Sequence, residues 1–381
     1  MSDPYQLTSE HDAFRKVVRE FALDKVAPRA AEIDATGEYP ADLHREMVKA
    51  ELIGVMFPEE AGGAGADAIT QAILIEEISR VCASSSMIPV LNKLGMIPLL
   101  LAGTPEQVAR WIPPIIAGNQ QAAYGLTEPE AGSDAGAVQT RAVRDGDGYV
   151  ITGGKRFISN AGIATVYAIF AKTDPPAGNR GISCFMVPAD AAGFRVARTE
   201  EKMGIRGSPT GELVLDGVRV PADHLVGAEG QGFALAMQTL DRSRPGIAAQ
   251  ALGIAQGALD VALDYAKTRR QFGQPIIEFQ AIGFMLAQMD MEIRAARHLV
   301  YEAHAMIDRR DPALNHVAAA AKCFASDVAM KVTTDAVQVL GGYGYIREFP
   351  VERFMRDAKI TQLYEGTNQI QRLVMSRNLA G

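Results

Sequence analysis

Apolar positions change their spacing twice along the chain, and the two changes divide it into three parts. Up to about Gly118 the period is helical, with Phe14, Val18, Phe21 and Val26 recurring at steps of a helical turn. A second helical stretch, Ile69 to Arg80, follows a glycine-rich break at residues 61–66, and Pro113-Pro114 reads as another break. From about Ala122 to Gly227 the period shortens to that of strands. Asp145-Gly-Asp-Gly148 separates residues 141–144 from 149–152 as a hairpin turn would. Thr165 to Lys172 and Ile182 to Val187 are short β-branched or aromatic runs, and Asp216-Gly217 reads as the link between two more. Beyond Gln231 long helical stripes return. Leu252, Ala255, Leu259, Ala262 and Ala266 form one, with Gln256, Asp260 and Asp264 on the other face. Ile282, Met285, Leu286, Met289, Ile293, Ala296 and Val300 form a second, and a last helical stretch closes with Ile370 to Asn378.

The order helices, strands, helices predicts an α+β fold, mostly α. Its parts are an N-terminal helical domain (1–120), a middle β-barrel or sandwich domain (121–228) and a C-terminal helical domain (229–381). It argues against a doubly wound dinucleotide fold, in which strands and helices alternate. Gly341-Gly-Tyr-Gly344 agrees, because it follows a helical pattern and not a strand.

Composition narrows the function. Of 381 residues, 48% are hydrophobic and 22% charged, as in a globular chain, and the net charge of −7 gives no basic footprint for nucleic acid. Cys82, Cys184 and Cys323 are far apart and lack metal-ligand spacing, so they read as small buried hydrophobes in a reducing compartment and not as a metal site. Residues 1–22 mix charges without an apolar core, unlike a signal peptide. No apolar run in the sequence reads as the ~20-residue length of a membrane span. A bacterial cytoplasm is the expected location.

Three segments carry candidate chemistry. Tyr124-Gly-Leu-Thr-Glu-Pro-Glu-Ala-Gly-Ser-Asp134 is a loop of small residues, hydroxyls and carboxylates whose backbone can approach a ligand closely. Gln338 to Pro350 begins with glycines that read first as a helix cap. In Ile360 to Arg372, Glu365 stands beside Gly366 between two helical stretches. On residue type alone the first and third segments read as solvated connectors.

Together the three segments resemble the acyl-CoA dehydrogenase family. Gly125 to Asp134 is similar to the first family signature and Gln338 to Asp357 to the second. Tyr364-Glu-Gly-Thr367 is similar to the segment holding the catalytic base of short- and medium-chain members. Residues 203–210 and 246–256 look most like the short-chain subgroup. The resemblance implies a C-terminal four-helix bundle, a homotetramer built as a dimer of dimers, and FAD held between the β domain and the C-terminal helices. It implies α,β-dehydrogenation of an acyl-CoA with Glu365 as base, and a substrate site that includes Ser133, Asp241, Arg244 and Gly366. Arg244 would help orient the Glu365 carboxylate.

For FAD, the resemblance assigns Tyr124, Leu126, Thr127, Gly132 and Ser133, then Phe157, Ile158 and Ser159 at a strand end over the ring. Arg269, Gln271, Phe272, Gln280, Gln338, Val339, Gly341 and Gly342 would reach the cofactor of a neighbouring subunit. Thr367 and Gln369 would hold its adenylate side. Phe157 and Ser159 stand where many members have tryptophan and threonine, which keeps an aromatic wall and a hydroxyl. Ser243 occupies the position of an alternative base in isovaleryl- and long-chain members, and a serine cannot serve as one. Ser86 occupies the position of an arginine in glutaryl-CoA dehydrogenase, which points to a neutral short, branched or cyclic acyl group. Electron transfer flavoprotein is the implied acceptor. An oxidase using oxygen and a non-catalytic scaffold are the alternatives.

Overall fold

Helix starts in the first third are written by capping residues, and a computed structural model, which describes residues 5–380, shows how they act. Helix α1 (Ser9–Phe21) opens on a capping box in which Thr8 and His11 satisfy each other's backbone N–H groups. It is followed by α2 (Ala30–Thr36), α3 (Ala41–Lys49), α4 (Ala68–Ser79), α5 (Ala83–Ala102) and α6 (Pro105–Ile116). The break expected at Pro113-Pro114 does not occur, because both prolines lie inside the last turn of α6. A proline inside a helix costs about 3 kcal/mol. Burial of Trp111, Ile112 and Ile115, at roughly 1.5–3 kcal/mol each, outweighs that cost.

The middle third is one connected sheet. Its strands are β1 (Ala122–Gly125), β2 (Arg141–Asp145), β3 (Gly148–Ser159), β4 (Val166–Lys172), β5 (Ile182–Pro188), β6 (Phe194–Thr199), β7 (Thr210–Pro221) and β8 (Leu225–Val226). They run in the order β6-β7-β3-β2-β4-β5-β8, with β1 also on β4. Asp145 pairs with Gly148 across the expected hairpin. The two halves meet where Arg141 pairs with Lys172, and Tyr149, Ile151, Tyr167, Ile169, Phe185 and Leu213 from both halves share one buried cluster. The sheet therefore wraps around its own core. Asp216-Gly217 does not separate two strands: it is an extra residue step within β7, opposite Ile151 to Gly153, that bends one long strand.

The last third opens with α7 (Gly232–Thr268), followed by a small hairpin, β9 (Arg270–Gln271) and β10 (Gln274–Pro275). Then come α8 (Gln280–Asp308), α9 (Leu314–Leu340), α10 (Val351–Thr361) and α11 (Asn368–Ala380). All five positions of the first predicted stripe are buried on α7. The N-terminal helices, β1 and the C-terminal helices pack into one continuous core, so the turn before α11 is surrounded by elements distant in sequence.

One expectation from hydropathy needs correction. Helices α5 and α7 are both long and apolar enough to cross a membrane, although no uninterrupted run announced them. Within the fold, 78% and 72% of their apolar windows are buried, which accounts for their composition as core helices.

Candidate functional site

Between α10 and α11 the chain makes a turn in which Glu365 and Gly366 both take left-handed backbone angles, φ 52° and φ 92°. Glycine adopts this freely, whereas for glutamate the conformation costs on the order of 1–3 kcal/mol and persists only if the surroundings impose it. Three side chains do so. Gln371 Nε2 donates to the carbonyls of Glu365 (3.1 Å) and Gly366 (2.8 Å). Lys322 Nζ donates to the Gly366 carbonyl at 2.8 Å, and Arg244 Nε to the Glu365 carbonyl at 3.4 Å.

The Glu365 carboxylate accepts a hydrogen bond from the Ser243 hydroxyl on α7. Glu365 is half-buried, and loss of water around its carboxyl pushes its pKa up to about 7. The Ser243 hydrogen bond and the charges of Arg244 and Lys322 pull the other way. Arg244 is buried and is itself held by Asp241 (2.8 Å), which also accepts from Asn315 (2.6 Å). Arg244 thus grips the backbone of the turn, and not the Glu365 carboxylate that the resemblance assigns it to orient. Among the described residues it is Ser243 whose side chain touches the acid group. Tyr124, on β1, places its ring against Phe170 and its hydroxyl toward α7, close enough to feel the charges of Glu365 and Arg244.

The loop after β1 and the end of β3 lie side by side. Arg156 N–H donates to the Thr127 carbonyl (2.9 Å) and Lys155 Nζ to the Leu126 carbonyl (3.1 Å). Lys155 is fully buried and forms an ion pair with Glu128 at 2.7 Å, while Glu128 also accepts the N–H groups of Gln139 and Thr140. That pairing holds Glu128 below the usual carboxylate range in spite of its burial. Phe157 is 60% exposed at φ 56°, in a bulge that turns its ring outward, with the Arg156 guanidinium stacked over it at 5.0 Å. Ile158 points into the sheet core, so only its backbone can face a ligand. Ser159 is half-buried beside it, and Gly132 and Ser133 are exposed on the loop.

Other predicted positions form a second group, at the C-terminal ends of α7 and α9. Arg269, Gln271, Val339, Gly341 and Gly342 line an open groove of about 410 Å³, and Arg269 stacks over Tyr343 at 5.4 Å. Gly341 ends α9 at φ 60°, ψ −133°, a backbone region that side chains disfavour. A Cβ on Gly341 or Gly342 would meet no atom within 4 Å, so both glycines face open space. Phe272, at the tip of the β9–β10 hairpin, is 94% exposed, and Gln280 and Gln338 are exposed as well. Thr367 accepts the Ile370 N–H as α11 begins, and Gln369 is exposed on that helix.

A second, narrow cavity of about 30 Å³ borders Ser243. Ile75, Val90, Leu94, Ile97 and Gly246 supply its apolar wall, and Gln71, Lys93, Arg242 and His304 its polar part. Lys93 donates to Gln71 and feels the Asp308 charge, while burial draws its ammonium down to about 8. Ser86 is fully buried elsewhere, accepting from Gln250, which in turn binds the Tyr364 hydroxyl.

Sequence reasoning missed Lys322, the Lys155–Glu128 pair and Gln250. One signal was available for Lys322. It is a lone cation after four alanines in a helical stripe, hence buried and in need of partners. Nothing local pointed to Gln250.

Comparison with known proteins covers nearly the whole chain. Family models described as acyl-CoA dehydrogenase N-terminal, middle and C-terminal domains match residues 8–119, 123–218 and 230–380. A probable acyl-CoA dehydrogenase of Mycobacterium tuberculosis is 52% identical over 377 residues, 99% of this chain and 97% of that protein. A short-chain-specific acyl-CoA dehydrogenase of Clostridium acetobutylicum is 47% identical over 373 residues, 98% of each. The butyryl-CoA dehydrogenase structure from Megasphaera elsdenii is 43% identical with a TM-score of 0.96, covering 99% of this chain and 100% of that one.

Proposed function

The chain belongs to the acyl-CoA dehydrogenase family, and from that premise we propose that it dehydrogenates a short, branched or cyclic acyl-CoA at the α,β bond, with Glu365 as base and FAD as cofactor. The observation that carries this reading is the Glu365 carboxyl itself. It is held on a strained turn, poised near neutrality, and joined through Ser243 to an apolar cavity. A scaffold has no physical need for such strain.

The residues present fit FAD. The groove at Gly341 and Gly342 has room a Cβ would occupy, with the Arg269 guanidinium and the Gln271 amide as donors for phosphate or adenine edges. The exposed Phe157 ring, with Thr127 and Ser159 beside it, suits a planar heterocycle with hydrogen-bonding rims. Bound FAD supplies a two-electron acceptor for the β-hydrogen, which departs as hydride.

Glu365 removes the α-proton. A thioester is a weak carbon acid, so the negative charge that develops on its carbonyl needs donors, and the Glu365 backbone N–H is proposed as one of them. Arg244, Lys322 and Gln371 fix that N–H by gripping the adjoining carbonyls. Asp241 and Arg244 form the polar edge of the thioester site, with Ser133 and Gly366 as further contacts. Ile75, Val90, Leu94 and Ile97 exclude water from a short acyl chain. We further propose electron transfer flavoprotein as acceptor, a dimer of dimers in which Arg269 and Gln338 to Gly342 meet a neighbour's cofactor, and a cytoplasmic location.

Purified protein is expected to be yellow, to hold about one FAD per chain and to sediment as a tetramer. Anaerobic bleaching of the flavin by a panel of thioesters tests the substrate class. Short neutral, branched or cyclic acyl-CoA esters should bleach it, and bleaching by glutaryl- or long-chain esters alone would refute the pocket assignment. Rapid recolouring in air without electron transfer flavoprotein would identify an oxidase instead.

The pH dependence follows from the same carboxyl. Glu365 acts only when ionised, so the rate of flavin reduction should rise with pH through a midpoint near about 7 and fall away in acid. A rate flat from about pH 5 to about pH 8 would remove Glu365 from the base role.

A further inference from the structure

Lys322 stands on α9, 44 residues before the glycine it touches, and none of its surface reaches solvent. Its ammonium donates to two neutral acceptors, the Gly366 carbonyl at 2.8 Å and the Asn368 side-chain oxygen at 3.0 Å. Asn368 is held in turn by the Cys323 carbonyl, Ser326 and Asp327. A buried cation whose direct partners are neutral is expensive, because hydrogen bonds to amides only partly replace its hydration. If the task were only to pin the Gly366 carbonyl, a neutral amide donor would serve without that cost. The charge itself therefore calls for an explanation, and Glu365 and Asp327 are the carboxylates whose charges act on it through space.

We propose that Lys322 is a positioning residue for the base: it fixes the turn through the Gly366 carbonyl, and its charge favours the ionised form of the Glu365 carboxyl. This inference rests on the reading of Glu365 as the base. The groups that face Glu365 are Arg244 from α7, Lys322 from α9, Tyr124 from β1 and Tyr364 on its own turn. Two of them are cations, and they act differently. Arg244 spends its charge on Asp241, with which it forms a direct ion pair, whereas Lys322 has no such direct carboxylate contact among the described residues. Both cations favour the ionised Glu365 carboxyl, Arg244 more than Lys322, and Lys322 adds its share with no direct ion pair of its own. Burial draws the Lys322 ammonium down to about 8, which leaves it charged in neutral solution.

Two variants separate the charge from the hydrogen bond. Lys322→Gln keeps a donor near the Gly366 carbonyl without the charge, and Lys322→Met removes both. Single-turnover reduction of the flavin-loaded enzyme by saturating acyl-CoA is followed from about pH 5.5 to about pH 9. In both variants the rising limb should move to higher pH by about one unit, so that reduction near about pH 6 slows ~10-fold. At high pH the Gln variant should approach the parent rate, while the Met variant stays slower because the turn is no longer pinned. An unmoved limb in a flavin-bound variant overturns the proposal, since a purely structural lysine would alter rate or stability without moving it. If the Met variant does not fold, the Gln variant decides alone. A parallel Glu365→Gln enzyme separates the two ideas. If it is slow while the Lys322 limbs stay put, only Lys322 is misassigned; if it reduces flavin normally, the base assignment itself fails.

Discussion

Glu365→Gln is expected to bind FAD and acyl-CoA as the parent does, yet to reduce its flavin at least ~10²-fold more slowly, the low end for a positioned general base. Glutamine preserves size, the backbone N–H and an acceptor for the Ser243 hydroxyl, so the loss would report the missing proton acceptor alone. The structure adds a second arm. Because the Ser243 hydroxyl touches the Glu365 carboxylate, a carboxylate built at 243 reaches nearly the same point in space from a different helix. Ser243→Glu in the Glu365→Gln background should therefore restore part of the rate. A Glu365→Gln enzyme that binds substrate and reduces flavin at the parent rate would leave Glu365 as a loop carboxylate.

Glu128→Ala is expected to destabilise the flavin-loaded protein by roughly 3 kcal/mol or more, because it strands the Lys155 ammonium without a partner inside the sheet. The backbone N–H groups of Gln139 and Thr140 lose their acceptor in the same step. Lys155→Met added to Glu128→Ala should recover part of that loss, since the double variant buries no unpaired charge. Denaturant unfolding monitored by flavin fluorescence would measure both. A Glu128→Ala protein as stable as the parent but unable to abstract the proton would move the base to this loop. The paired geometry opposes that outcome, because a carboxylate already holding an ammonium and two N–H groups has little basicity to offer.

Order of elements was the legible part of the sequence. Stripe positions such as Leu252, Ala255 and Leu259 are buried where the period puts them, and the Asp145–Gly148 hairpin pairs as its turn residues dictate. Local rules failed where tertiary burial overrode them. Pro113-Pro114 sits inside a helix because Trp111, Ile112 and Ile115 are packed around it, and Asp216-Gly217 bends a strand that its neighbours keep continuous. Helix α5, with Pro89 and Pro98 inside it, falls in the region of helical period but has no stripe of its own to mark its ends. Glu365 stood out only through family resemblance, since a glutamate before glycine has no local mark of a base. What makes it unusual comes from Ser243, Arg244, Lys322 and Gln371, on three helices, and no window of sequence contains those four together.

The apolar character of α5 also has a consequence in time. Its cover comes from α4, made just before it, and from β1 and α7, made after it. The first residue of α7 leaves the ribosome about 130 residues behind the last of α5, which at ~5–20 residues per second is roughly 6 to 26 seconds. For that interval a segment as apolar as a membrane anchor lacks the cover that α7 later supplies. During every round of synthesis it is therefore a target for chaperones, for the membrane surface and for other nascent copies of itself, until α7 arrives to close over it.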